Sequence, residues 1–350
     1  MIKFFKDICI FCKLKFTESN YKVGFFCESN FIFEYLEPYI LNKLNKLKKN
    51  KILIISFENI ENNLINKASF FVFHTRFFRE LVFLTLKLRV LYSSTPDLDY
   101  SIFKRSKFSR CKYIYLHHTP VSLTMIYNNN SFDAFNAVQC ISTYQLKEMD
   151  EIIFKRNLNT RAFKSKYLFI KKQVEKNINQ IPDTDLLIAP SWNSSFYKLG
   201  CHILLNKFLL ESKISFKLRV HPMSLTKREI SMNDLEQLNI PIDRLNMLNL
   251  FKYRFLITDW SGIFIEFAMI FKRKAFLINT PRKIVNQNYL KFDNKPIEIS
   301  LRNILGQTFE VQNIQNIVGS IQSLKGKLLK KNLIAENEDV KKIINKNFFI

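Results

Sequence analysis

The sequence predicts an α/β protein of two halves, each a parallel sheet flanked by helices, facing each other across a crevice. Three observations carry this. Short apolar runs such as Lys51–Ser56 and Ala275–Asn279 alternate with helix-length segments, the pattern of strands buried on both faces. Turns rich in His, Ser and Thr follow several of those runs, at 117–120, 190–195, 221–222 and 259–262, where open α/β sheets place their chemistry. Between them, residues 151–180 loosen into Lys and Asn, and Gln180-Ile181-Pro182-Asp183 reads as a boundary. The organisation expected is an N-terminal domain over 1–181, a C-terminal domain over 182–330 and a closing helix over 331–350.

In chain order, the first residues, MIKFFKDICIFCKLKF, are basic and apolar, but Lys6 and Asp7 interrupt them and no small-residue cleavage site follows. They are read as an ordinary first helix or strand, with a seat on a membrane face as the alternative. Tyr21–Ser29 reads as a strand ending in a polar turn, and Phe31–Lys49 as a helix with Pro38 as a kink point. Lys51–Ser56, Ala68–Phe73 and Arg89–Tyr92 continue as strands, with a helix over Thr75–Lys87. Lys112–Leu116 is a strand that runs straight into His117-His118-Thr119-Pro120. Ala134–Cys140 leads into another hydroxyl-bearing turn, Ile141–Gln145. After the boundary come a strand at Leu186–Ala189, a turn with Ser191, Ser194 and Ser195, and a helix over Phe196–Glu211. On the strand Phe216–Pro222, Arg219 and His221 share a face, an arrangement suited to clamping phosphate. A salt bridge beside a structural imidazole is the alternative. Helices are expected over Val311–Leu329 and Glu336–Asn347.

The clearest local unit is Arg254–Thr280. Phe255–Thr258 reads as a strand, Asp259-Trp260-Ser261-Gly262 as a capping turn, Ile263–Phe271 as a helix closed by Lys272-Arg273-Lys274, and Ala275–Asn279 as the next strand. In such a βαβ unit, free N–H groups at the start of the helix favour an anion. Ser261 and Gly262 stand at that point, and Glu266 lies a turn inside; taken alone, an ordinary βα turn with a capping serine is the commoner alternative.

Composition narrows the function classes. Lys and Arg number 54 against 30 Asp and Glu, a formal charge of +24, which implies anionic partners. The basic residues are dispersed, with no arginine-rich arm or aromatic–basic motif, so nucleic acid is not the expected partner. Six glycines in the whole chain leave no glycine-rich phosphate loop, so a nucleotide would be held by helix ends and side chains. The six cysteines include one Cys9-x-x-Cys12 without a second pair, too few ligands for a metal site, and are read as buried thiols of a reducing cytoplasm. No run approaches the ~18 apolar residues of a membrane-spanning helix.

Taken together, His117-His118-Thr119-Pro120, Ser191-Trp192, Arg219-Val220-His221-Pro222 and Thr258-Asp259-Trp260-Ser261-Gly262 with Glu266 form an ordered set. Over Ile114–Thr280 that set resembles the CDP-glycerol glycerophosphotransferase family, which builds teichoic-acid and capsule-type polyol-phosphate polymers on a GT-B scaffold of two facing Rossmann-like domains. His117 takes the place of the family's catalytic histidine, and His118 replaces its glycine. Arg-x-His-Pro is intact, the second serine of Thr-Asp-Tyr-Ser-Ser has become Gly262, and Glu266 stands for an aspartate.

The resemblance implies attack by an acceptor hydroxyl on the phosphorus of a CDP-activated polyol, with CMP expelled. It casts His117 as general base, with His221 also in the catalytic pair. Arg219 and His221 would hold the diphosphate, with Ser191, Thr258, Asp259, Ser261 and Gly262 on the donor side. Glu266 would meet ribose or cytosine, and His118 and Thr119 would lie toward the acceptor. No metal is expected, and no cofactor beyond the CDP-polyol itself. An anionic polymer or lipid-linked acceptor, and a cytoplasmic enzyme peripheral on the inner leaflet, complete the expectation. Two alternatives stand beside it: a GT-B glycosyltransferase using a nucleotide-sugar, and a non-catalytic basic protein binding nucleic acid or anionic lipid.

Overall fold

A computed structural model describes residues 1–47, 51–60, 68–177, 179–244, 249–331 and 336–350. The first lobe runs α1 (Ile2–Thr17), β1 (Tyr21–Cys27), α2 (Asn30–Lys46), β2 (Lys51–Ser56), β3 (Ala68–Val72), α3 (Arg76–Thr85), β4 (Val90–Ser93), β5 (Lys112–Tyr115), β6 (Ala137–Cys140), α4 (Thr143–Arg156) and β7 (Arg161–Lys164). After α5 (Leu168–Asn177) the second lobe runs β8 (Thr184–Ile188), α6 (Cys201–Glu211), β9 (Phe216–Leu218), α7 (Pro222–Thr226), α8 (Met232–Gln237), β10 (Tyr253–Thr258), α9 (Ile263–Phe271), β11 (Ala275–Asn279), α10 (Ile297–Leu305), β12 (Gly306–Glu310), α11 (Gln315–Lys331) and α12 (Glu338–Asn347).

Both sheets are parallel. The first has seven strands in the order β3-β2-β1-β4-β5-β6-β7, and the second has five in the order β12-β11-β10-β8-β9. Strand order reverses between β1 and β4 in one and between β8 and β10 in the other, which opens a crevice beyond the carboxyl ends of each sheet. The expected α/β pair of Rossmann-like lobes is therefore present. In the second sheet Ile257 of β10 pairs with Ile188 on one side and Phe276 on the other. That register brings the turns after β8, β10 and β11 to one end.

An apolar core joins the lobes. Tyr35, Ile141, Tyr167 and Phe169 pack with Phe264, Phe267 and Leu277, and with Val340, Ile344 and Phe348 of the C-terminal segment. Fully burying one such ring stabilises by roughly 1.5–3 kcal/mol. The chain crosses between lobes twice. The first crossing is the segment 165–183. In the second, α12 packs on α9 and α10 and its tail returns to the first lobe. There Phe348 bridges Ser142, Phe349 N–H donates to Ile141 C=O at 2.9 Å, and Tyr167 N–H donates to Phe349 C=O at 2.7 Å.

The N-terminal segment is a helix, and the charge that interrupts it has a structural purpose. Asp7 is fully buried and accepts from the N–H of His74 at 3.1 Å, and from the N–H and hydroxyl of Thr75, both at 2.7 Å. It thereby caps α3 from another helix. Burial opposes the charge on Asp7, but these bonds hold its carboxyl below the ordinary carboxylate range.

Other expectations need correction. Cys9 and Cys12 are exposed, whereas the remaining four cysteines are buried. The inner face of α1 presents Asp7 and Leu14 instead, and the two thiols fall on its outer face. The helix expected from Phe196 starts at Cys201, after Gly200 at φ 67°. β9 stops at Leu218, so Arg219 and His221 lie just past it, and His221 caps α7. The helix expected over Val311–Leu329 begins at Gln315, after a 3-10 turn at Val311–Asn313. The last residues of the helix expected over Phe31–Lys49, numbers 48 and 49, lie outside the described residues.

Candidate active site

Beyond the carboxyl end of β5 the chain turns through two histidines with different surroundings. The His117 N–H donates to Gln139 Oε1 at 3.1 Å. Its ring sits among Tyr115, Phe132 and Tyr127, at centroid distances of 4.8, 5.9 and 6.2 Å. His117 is 1% exposed, and neither ring nitrogen has a hydrogen-bond partner among the described residues. Burial, reinforced by His118, holds its pKa well below the ordinary imidazole value. His118 is half-buried, with its ring 5.9 Å from that of Tyr35. Burial brings its pKa to about 4 against the opposing effect of a backbone hydrogen bond at Ser94, so its imidazole is neutral near pH 7.

Both lobes grip the loop that carries these histidines. From the first lobe, Glu148 accepts from the Ser122 hydroxyl at 2.9 Å and from Leu123 N–H at 2.6 Å. From the second, Glu298 accepts from Ser122 N–H at 3.0 Å, and Asn286 Nδ2 donates to Thr124 C=O at 2.8 Å. Burial raises the carboxyl of Glu148 to about 8 and that of Glu298 to about 7.

The same loop presses on the start of α9. A β-carbon on Gly262 would stand 2.6 Å from Val121 Cγ1 and 2.8 Å from Thr119 Oγ1. Only a residue without a side chain permits that approach. The Ser261 hydroxyl lies 3.5 Å from Ile263 N–H, within its own turn. Glu266 faces the first lobe rather than standing free. The Tyr167 hydroxyl is 2.6 Å from Glu266 Oε1 and 2.9 Å from the His118 carbonyl. Burial raises the Glu266 carboxyl to about 7, despite the bond from Tyr167.

The donor-side residues divide into two groups. Thr258 and Asp259 knit strand ends together: the Thr258 hydroxyl donates to Ala189 C=O at 2.6 Å, and Asp259 Oδ1 accepts from Ser191 N–H at 2.8 Å. The Ser191 hydroxyl and Asp259 Oδ2 are buried without a partner among the described residues. Arg219 and His221 stand at the crevice. Arg219 pairs with Asp243 at 3.0 Å. His221 Nδ1 accepts from Met223 N–H at 3.1 Å, which assigns the neutral ring's proton to Nε2. His221 is held at about 4 by burial first, then by the positive fields of Lys283, His118 and Arg219. The Trp192 ring lies 6.3 Å from that of His221 and 4.4 Å from the Lys283 ammonium.

The structure thus brings His118, Thr119, Gly262, Arg219 and His221 to the junction of the lobes, while His117 lies in an aromatic enclosure behind. Sequence reasoning passed over Lys283, Tyr167 and Glu298. Lys283 was within reach, since it lies four residues past the carboxyl end of β11, the position that picked out the other site residues. Tyr167 and Glu298 carry no local signal, because their partners lie 49 or more residues away in sequence.

No family model and no curated protein matches the sequence. Among solved structures, the wall teichoic acid polymerase TagF matches in two histidine-substituted forms. One has a TM-score of 0.56 at 12% identity, covering 99% of this chain and 92% of that one. The other has 0.57 at 12%, covering 94% and 85%. A UDP-N-acetylglucosamine 2-epimerase matches at a TM-score of 0.47 and 9% identity, over 93% of this chain and 90% of that one. The likeness to TagF spans nearly the whole chain, and with the two parallel sheets it establishes a glycosyltransferase-like fold of GT-B type.

Proposed function

We propose that the chain transfers a polyol phosphate, glycerol phosphate foremost, from a CDP-activated donor to a hydroxyl of a cell-envelope or capsule polymer, releasing CMP. One observation carries the reading. The loop that carries His118 after β5 closes on the start of α9 in the opposite lobe, where a β-carbon on Gly262 would stand 2.8 Å from Thr119 Oγ1, so motif residues of both lobes meet at one junction. The ordered motifs from Ile114 to Thr280 name the chemistry that such a junction would serve, and the fold shared with TagF is compatible with it.

Phosphoryl transfer asks a protein chiefly for positioning and charge stabilisation. The acceptor oxygen forms its bond to phosphorus as the bond from phosphorus to the CMP oxygen breaks. The acceptor proton passes to an imidazole. His118 is our choice of base, since it is neutral and half-buried at the lobe junction, whereas His117 is enclosed. Such a base contributes roughly 10²–10⁴-fold. The Nε2–H of His221 donates to a phosphate oxygen, and the positive charge of Arg219 stands beside it.

The +24 formal charge suits an anionic polymer. The outer face of α1, where Phe5 and Phe16 are exposed beside Lys3, Lys6 and Lys13, supports a peripheral seat on an anionic membrane. Among the described residues no helix is long and apolar enough to cross one.

The deciding experiment offers the purified protein CDP-glycerol, CDP-ribitol and nucleotide-sugars with a phosphoglycerol or lipid-linked acceptor. Acceptor-dependent CMP release supports the reading. Release of a nucleoside diphosphate from a nucleotide-sugar would replace it with glycosyl transfer.

A further inference from the structure

The second lobe contains a buried cation without an anion. Lys283 is 7% exposed, yet no carboxylate lies within ion-pair distance of its ammonium among the described residues. Its near neighbour is the face of Trp192, at 4.4 Å. Asp259, Glu298 and Glu229 act on it only at a distance, and burial outweighs them, bringing its pKa to about 8. Buried lysines ordinarily have a partner.

The groups beside it call for an oxyanion. His221, whose titration Lys283 opposes, offers an Nε2–H, and the nearby turn after β8 holds the Ser191 hydroxyl without a partner. The other cation of the crevice, Arg219, is already paired with Asp243. Lys283, His221 and Ser191 thus offer three donors in this region, next to one flat aromatic wall.

We propose that Lys283 is the phosphate-binding cation of the donor site, engaging the diphosphate of a bound nucleotide beside Trp192. The nucleotide's identity rests on the transferase reading, but the anion site does not. Phosphate oxygens would give the ammonium a hydrogen-bonded counter-charge. The competing account makes Lys283 a structural partner of Asp259, whose Oδ2 is also unpartnered.

The test titrates inorganic pyrophosphate, CDP and cytidine into the wild type, Lys283→Met and Lys283→Arg, followed by calorimetry and tryptophan fluorescence. Lys283→Met should weaken pyrophosphate and CDP by about tenfold or more, the scale of a lost buried charge contact, and cytidine by less than about twofold. Lys283→Arg should recover part of the loss. Without ligand, the Tm of Lys283→Met should equal or exceed that of the wild type. Pyrophosphate binding equal in wild type and Lys283→Met overturns the assignment. So does a lower Tm for Lys283→Met that Asp259→Asn restores. Lys283-dependent pyrophosphate binding without transfer from any donor would uphold the site and refute the transferase. Transfer from CDP-glycerol unchanged in Lys283→Met would do the reverse.

Discussion

Tyr167 and Glu266 meet at 2.6 Å across the junction of the two lobes. The Tyr167 hydroxyl has one proton and two acceptors, the other being the His118 carbonyl at 2.9 Å. Above pH about 7 the ionised Glu266 carboxyl competes with the His118 carbonyl for that proton; below it the protonated carboxyl can itself donate to Tyr167, which is then free to donate to His118. The backbone of a candidate catalytic residue is thereby tied to the opposite lobe. Tyr167→Phe leaves a buried carboxyl without its partner and should cost about 1–3 kcal/mol in urea unfolding. Glu266→Gln reproduces the donor pattern of the protonated acid and should be near neutral at pH 6.

The pH dependence follows from signs. Glu266 and Glu298 at about 7 and Glu148 at about 8 are raised above their unfolded values. Their stabilisation is complete below the ordinary carboxylate pKa and is lost as pH rises through 7 to 8. His118 and His221, depressed to about 4, stabilise fully above the ordinary imidazole pKa and lose that contribution as pH falls through about 4. The melting temperature should therefore fall between pH 6.5 and 8.5, and fall separately below pH 5. Glu298→Gln, which keeps an acceptor for Ser122 N–H, should flatten the alkaline limb. An unchanged alkaline limb in that variant would contradict the burial argument.

Gly262 and Gly319 make a matched pair. Alanine at Gly262 would drive its β-carbon into Val121 and Thr119, costing roughly 1–3 kcal/mol and displacing the histidine loop. Turnover should fall more than the donor KM rises. Alanine at Gly319, within α11 and with nothing within 4 Å, should stabilise by about 0.5–1 kcal/mol. Comparing unfolding midpoints and kcat for the two variants checks both.

His117 and His118 should separate by substitution. His118→Ala should lower kcat by about 10²–10⁴-fold with the melting temperature little changed. His117→Phe replaces an enclosed imidazole whose nitrogens lack partners with an apolar ring. The variant should keep its melting temperature and most of any transfer activity. Loss of turnover in His117→Phe with His118→Ala active would return the base to His117.

Much of the architecture was legible because parallel strands buried on both faces leave unbroken apolar runs. Ala275–Asn279 was bounded to the residue, and the turns after β5, β9 and β10 were found from their polar residues. β12, Gly306-Gln307-Thr308-Phe309-Glu310, was missed because it is a half-exposed edge strand without such a run. β7, Arg161–Lys164, was missed for the same reason. The two adjacent histidines could not be told apart from sequence, because enclosure by Phe132 and Tyr127 depends on how the irregular loop that follows them folds back. The buried carboxylates were equally hidden. Glu298 reads as a surface helix residue until Ser122, 176 positions away, is placed against it.

The double passage of the chain between the lobes has a mechanical consequence. A body fastened to another at one point can swivel about any axis, but fastened at two it turns chiefly about the line joining them. The segment 165–183 is one fastening, and the tail at Phe348 and Phe349, stitched to Ile141 and Tyr167, is the other. Any relative movement of the lobes that spares both crossings is therefore confined to a single swing, like a door on a pair of pins.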